Sequence, residues 1–188
     1  MQDTLSYQLN DNSDVRTLST NVPGTGGSVK GLLYVPELRN SDSCFNITKT
    51  YFPHNVTRRS GLPDSGFPLV AVAPWISINC TSSYLAAARV DPVTAFFFYK
   101  PDNGTVEPPP ADDPGWSLQD GGRWKSENDF GVYAVPGALG ATLMTQLSLY
   151  SGNMTDVPNG AKLTEMYDPR DYIRLFAIVN FGECRAWT

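Results

Sequence analysis

The chain has 188 residues, is 41% hydrophobic and 12% aromatic, and carries only 18% charged residues with a formal net charge of −5. That length and apolar content suit one compact domain with a substantial core. The acidic balance, with no Lys/Arg cluster beyond Arg58-Arg59, argues against nucleic acid and anionic membranes as partners, and no apolar run approaches the 18 residues a membrane span needs.

Residues 1–27 are polar and end in the run PGTGG, which reads as a weakly ordered arm or edge strand. Residues 28–182 read as a single domain. Its first strand is Ser28–Leu38, with Pro36 marking a strand end or sheet edge. Residues 39–66 carry turn residues, two sequons and His54, the one histidine; they predict a long surface loop with one short strand near Cys44. Phe67–Ala73 is almost continuously apolar and β-branched, the pattern of a central strand covered on both faces. A tight passage through Cys80 follows, then a short helix capped by Thr81, Ser82 or Ser83 with Tyr84, Leu85 and Ala88 inward. Asp91-Pro92 stops that helix, and Val93–Tyr99 is the next buried strand. Together these elements predict a β-α-β unit hinged at Cys80.

Residues 100–129 are dominated by Pro, Gly and Asp, so regular structure is not expected there, yet Trp116 and Trp124 lie inside. Val132–Val135 predicts a short strand, and Pro136-Gly137 opens a helix to about Tyr150 with Leu139, Leu143, Leu147 and Tyr150 as its buried stripe and Gly152 just past its end. A polar loop over 153–169 precedes a final strand, Asp171–Phe181, whose side bearing Ile173, Leu175, Ala177 and Val179 is cleanly apolar.

Five sequons, at Asn46, Asn55, Asn79, Asn103 and Asn153, point to a secretory-pathway lumen or the cell exterior. Three cysteines fit that setting. Cys44 and Cys80 sit beside predicted core strands and are the expected pair, leaving Cys184 over; three reduced, buried thiols are the alternative.

Catalytic chemistry finds little support in the residue pattern. His54 sits between Pro53 and Asn55 without any G-x-S-x-G element, and the cysteines lack the short paired spacings of a metal site. Asp112, Asp113 and Asp120 could serve a glycosidase but also suit solvated turns, and Gly121-Gly122 suits a turn more than an anion nest. The more suggestive constellation is Trp116, Arg123, Trp124 and Lys125, with Trp75 at the end of the central strand, because Trp and Arg dominate binding hot spots. The competing reading is that the tryptophans pin the long loop to the body.

The order of these elements resembles the protease-associated (PA) domain. The residues that carry the likeness are Leu69–Ala73, Cys80, Ala86–Ala88, Ala95–Tyr99, and Val135, Gly140 and Leu143. Three longer segments, Val72–Pro92, Asp120–Ser126 and Tyr133–Gly152, are similar to the luminal part of fungal PA–transmembrane–RING proteins.

The resemblance implies a mixed α+β or α/β fold, an open barrel or sandwich of about six to seven strands with two main helices. It implies a non-catalytic module that recognises proteins or peptides, without cofactor or metal, in the lumen of the Golgi, an endosome or a vacuole, or on the extracellular face. Residues 183–188 would then lead toward a membrane segment and a cytosolic RING-type ubiquitin ligase, or the parent would be a sorting receptor. An accessory domain of a secreted peptidase and a small carbohydrate-active enzyme are the alternatives. In plant sorting receptors of the family an R-G-x-C loop contacts cargo through its arginine. Here that loop is Ser77-Ile78-Asn79-Cys80, without the arginine or the glycine.

Overall fold

The structure, a computed structural model, describes residues 15–20, 28–62, 67–153, 172–174 and 176–180. Its centre is a curled, mixed six-stranded sheet accompanied by three helices, an α+β fold. Four strands run parallel and lie side by side in chain order: β2 (Ser28–Tyr34), β3 (Leu69–Pro74), β4 (Val93–Tyr99) and β5 (Gly131–Val135). A short β1 (Arg16–Thr17) closes one edge antiparallel to β5, and β8 (Phe176–Asn180) closes the other antiparallel to β2. A separate two-stranded ladder joins β6 (Gly152–Asn153) to β7 (Tyr172–Ile173). Of the open barrel or sandwich expected, the described residues show one principal curled sheet, compatible with the general class.

The central strands are apolar throughout because both sheet faces are covered. All six residues of β3 and all five of β5 are buried. Strand β4 shows how the faces divide, since alternate side chains point to opposite sides. Phe97 stacks on Tyr133 with ring centroids 5.3 Å apart. Two residues on, Tyr99 meets helix α3 (Gly137–Leu149), where a methyl built on Gly140 would overlap the Tyr99 ring, so only glycine lets α3 lie this close. The opposite side of β4 carries Phe96 and Phe98, which face Phe130 and Trp75.

The β-α-β unit is present as β3, α2 (Ile78–Ala88) and β4, but its hinge differs from expectation. Ser77 caps α2, accepting from the Cys80 amide at 3.2 Å, so the helix begins before the cysteine and Cys80 lies in its first turn. Thr81, Ser82 and Ser83 are helical, not caps. Serine at this position is a strong cap, and the turn it stabilises outweighs the cysteine as a boundary signal. Tyr84, Leu85 and Ala88 are fully buried, as the spacing predicts.

The region 39–66 also departs from expectation. The segment around Cys44 is a helix, α1 (Ser43–Thr48), not a strand. Asp42 caps it by accepting from the Cys44 amide at 2.8 Å, and a six-residue helix is too short to show a periodic stripe. In α3, Leu143 and Leu147 are buried as expected, with Met144 beside them, whereas Leu139 and Tyr150 are half-buried. Gly152 opens β6 instead of closing the helix. The final strand presents Ala177 and Val179 to the core, in agreement with the alternation read from sequence. Cys184, the arm over 1–14 and the tail over 183–188 lie outside the described residues.

Candidate functional site

The sequence-nominated aromatic constellation is structural at its centre. Trp116 and Trp124 are each 1% exposed and Trp75 is 8% exposed. Trp75 meets Trp116 edge-on at 5.0 Å between centroids and Trp124 at 5.7 Å, and it rests on Phe98. The three rings therefore form the layer that covers the second sheet face, and this is what holds the Pro/Gly-rich connection in place. The rings expected to face a ligand are thus buried against one another and Phe98.

The turns that deliver these rings explain the neighbouring polar residues. Asp113 Oδ1 accepts from the Gly115 amide at 2.7 Å, and Trp116 Nε1 donates to the Pro109 carbonyl at 3.2 Å. Asp120 accepts from the amides of Gly122 and Trp124 through its two carboxylate oxygens. Gly121 and Gly122 have φ of +72° and +83°, the left-handed region that favours glycine. Asp113, Asp120 and the glycine pair are thus engaged in turn formation. Lys125 Nζ donates to the Ala111 carbonyl at 2.6 Å, and the exposed Arg123 donates Nε to the Asp120 carbonyl at 3.1 Å.

The predicted disulfide is present. Cys44 and Cys80 are joined, tying α1 to α2 across 36 residues of sequence. Four sequon asparagines, Asn46, Asn55, Asn79 and Asn103, are exposed, while the Asn153 side chain lies outside the described residues. Three of their hydroxyl partners behave differently: Thr48, Thr57 and Thr81 are buried, with Thr48 and Thr57 hydrogen-bonded inside the body, whereas Thr105 is exposed.

The tie between α1 and α2 has a geometric consequence. It brings together the walls of an open pocket of about 270 Å³. Helix α1 and its 3-10 extension supply Phe45, Thr48 and Lys49, α2 supplies Tyr84, and the segments on either side supply Glu37, Leu38, Phe52, His54 and Arg58. The floor is buried: Tyr84, Thr48, Leu38 and Phe52 are all shielded from solvent, and Tyr84 donates its hydroxyl to Thr48 Oγ1 at 2.8 Å. Burial pushes the Tyr84 phenol above its usual value. The rim, formed by Glu37, Lys49 and His54, is exposed.

Arg58 is the residue that gives this pocket its chemistry. It is half-buried, its guanidinium lies over the Phe52 ring at 4.7 Å, and one of its nitrogens donates to the Pro36 carbonyl at 3.4 Å. Among the described residues no carboxylate forms an ion pair with it. Its neighbour Arg59 is committed elsewhere, to Asp91 at 2.9 Å. Glu37 accepts from the Ser60 amide at 3.2 Å, and its charge still acts on Arg58 from the rim. Desolvation lowers the Arg58 pKa, the response of a cation held partly out of water. Lys49 sits over Phe45 at 4.3 Å, so both cations of the pocket rest on aromatic faces.

Sequence reasoning placed His54 on the surface, and it is exposed at the rim. It did not find Arg58, Phe45, Phe52 or Tyr84 as one site. The signal available was the Arg58-Arg59 doublet, but nothing local reveals that one of the two is paired with an aspartate 32 residues further on.

No protein-family model matches the chain, and no curated protein matches it either.

Proposed function

We infer that the chain is a non-catalytic recognition module that captures a protein or peptide in a secretory-pathway lumen or at the cell exterior. The reading follows the likeness to luminal PA domains of membrane-anchored RING-type ubiquitin ligases and sorting receptors. The observation that carries it is the Arg58 guanidinium, half-buried over an aromatic ring and in no direct ion pair with a carboxylate among the described residues, lining an open pocket. A cation held this way is poised to gain from an incoming polar group, because a charge-assisted hydrogen bond strengthens where water is scarce. The disulfide and the exposed sequon asparagines support an oxidising, glycosylating compartment.

The pocket replaces the arginine-bearing cargo loop of the plant relatives, which this chain lacks at Ser77–Cys80. The test is a selection from a displayed library of peptides and small protein loops against the full chain. Binders are counter-screened on the exposed-rim variant Lys49→Glu/His54→Glu. Enrichment of clones that lose binding to the rim variant is the expected result. A library that yields no pocket-dependent clone would remove this reading.

A further inference from the structure

We propose that the pocket takes a glutamate side chain from its partner, the carboxylate reaching Arg58 and the methylene stem lying between Phe45 and Phe52. The inference rests on the recognition reading above and names the chemistry it would select.

The charge pattern comes first. In a chain of net charge −5, the pocket carries two cations, Arg58 and Lys49, against one carboxylate, Glu37, which is already held by the Ser60 amide. An anion is therefore favoured at this point of an otherwise acidic surface. Arg58 presents the planar fork that matches a carboxylate; one nitrogen donates to the Pro36 carbonyl and the Tyr84 hydroxyl is a further partner, so the remaining in-plane N–H groups are the donors for a ligand.

Depth and size come next. Arg58 lies between a buried floor, formed by Tyr84, Leu38 and Phe52, and an exposed rim. A ligand must pass the rim before its charge meets the guanidinium. A carboxylate at the end of an apolar stem does this while its own backbone stays outside. About 270 Å³ lies just under the range of roughly 300–1,000 Å³ for drug-sized ligands, so the pocket accepts one side chain and not an oligomer. A chain-terminal carboxylate is attached to a branched α-carbon and needs more width at the same depth. A phosphate dianion would bring twice the charge of a carboxylate past the same Glu37, to a largely apolar wall without enough donors to replace its hydration.

The experiment is an NMR titration of the full chain, following the Arg58 Nε–Hε signal. The probes are acetyl-Gly-Glu-Gly-amide, its glutamine isostere, and acetyl-Gly-Gly-leucine with a free carboxylate. The glutamate peptide should shift the Arg58 signal saturably, and the glutamine peptide should bind about tenfold or more weakly, the loss expected when a charged hydrogen bond becomes neutral. Arg58→Gln should abolish the shift of the surrounding pocket amides. Because that variant alters a half-buried position, the comparison of glutamate with glutamine on the unaltered chain stands independently of it. Equal binding of the two isosteres would overturn the proposal. Tighter binding of the leucine acid would also overturn it, in favour of a chain-terminal carboxylate. Silence from all three at about 10 mM would overturn it as well. If the displayed library still yields pocket-dependent binders in any of these cases, the recognition reading stands and only the glutamate assignment falls.

Discussion

The Tyr34 hydroxyl donates to Asp91 Oδ2 at 2.9 Å, while Arg59 Nε donates to Oδ1 of the same carboxylate, also at 2.9 Å. One aspartate at the turn between α2 and β4 thereby fastens the end of β2 and the 3-10 turn at Arg59. Asp91 is 9% exposed at its side chain, so both partners would lose an acceptor in a place where water reaches poorly. Asp91→Ala should therefore cost about 2–4 kcal/mol of stability, and Asp91→Asn, which keeps an acceptor, about half of that. Urea denaturation of the two variants checks the order; an alanine variant as stable as the parent chain would contradict it.

The same tyrosine contributes to a pH response. Burial raises the pKa of Tyr34, Tyr84 and Tyr99, and Asp91 raises that of Tyr34 further. The folded protein keeps these protons at pH values where the unfolded chain, with ordinary phenols near 10, releases them. Their contribution to stability is thus complete below pH about 10 and declines as the pH climbs above it. Absorbance at 295 nm should show that part of the tyrosine signal, from a chain with nine tyrosines, appears only together with loss of near-ultraviolet circular dichroism. Reversible ionisation of all nine without unfolding would exclude this coupling.

The tryptophan layer yields a graded prediction. Trp116→Ala or Trp124→Ala should cost about 3–5 kcal/mol, the range for emptying a large buried aromatic site. The indole nitrogens then separate the two sites. Trp116 Nε1 is satisfied by Pro109, whereas Trp124 Nε1 is buried without a hydrogen-bond partner. Trp116→Phe should consequently be worse than Trp124→Phe by about 1–2 kcal/mol, because only the former breaks a made bond. Thermal denaturation of the pair checks this; equal losses, or a larger loss for Trp124→Phe, would contradict it.

The disulfide closes a separation of 36 residues, for which a chain-entropy estimate gives about 4 kcal/mol and measured cases usually give 2–4. Reduction, or Cys44→Ser/Cys80→Ser, should lower stability by that amount. Phe45 and Lys49 should also lose their fixed distance from Tyr84, so ligand affinity should fall even where the reduced protein remains folded. Titration of the glutamate peptide in the presence and absence of reductant measures this; unchanged affinity would separate the bridge from the pocket.

Much of this molecule is legible in one dimension. Phe67–Ala73 and Val93–Tyr99 read as buried strands because continuous apolar runs have few other uses, and Leu143 and Leu147 mark α3 by spacing. Ala177 and Val179 mark the inner side of β8 in the same way. What escaped was set by distant partners. Arg58 and Arg59 are indistinguishable in sequence, and only Asp91 divides them. The tryptophans allow two readings in sequence, and their burial against one another and Phe98 depends on contacts far apart in the chain. Helix α1 was hidden because its evidence is a single cap, Asp42, and a covalent bond to α2.

That bond also has a bearing on the order of assembly. Positions 44 and 80 emerge from a ribosome well before the indole-bearing connection, β5 and α3. In an oxidising compartment α1 and α2 can therefore be joined while the remaining chain is still being made. The nascent polypeptide would thus hold its cationic hollow in shape before the far side of the sheet has anything to cover it.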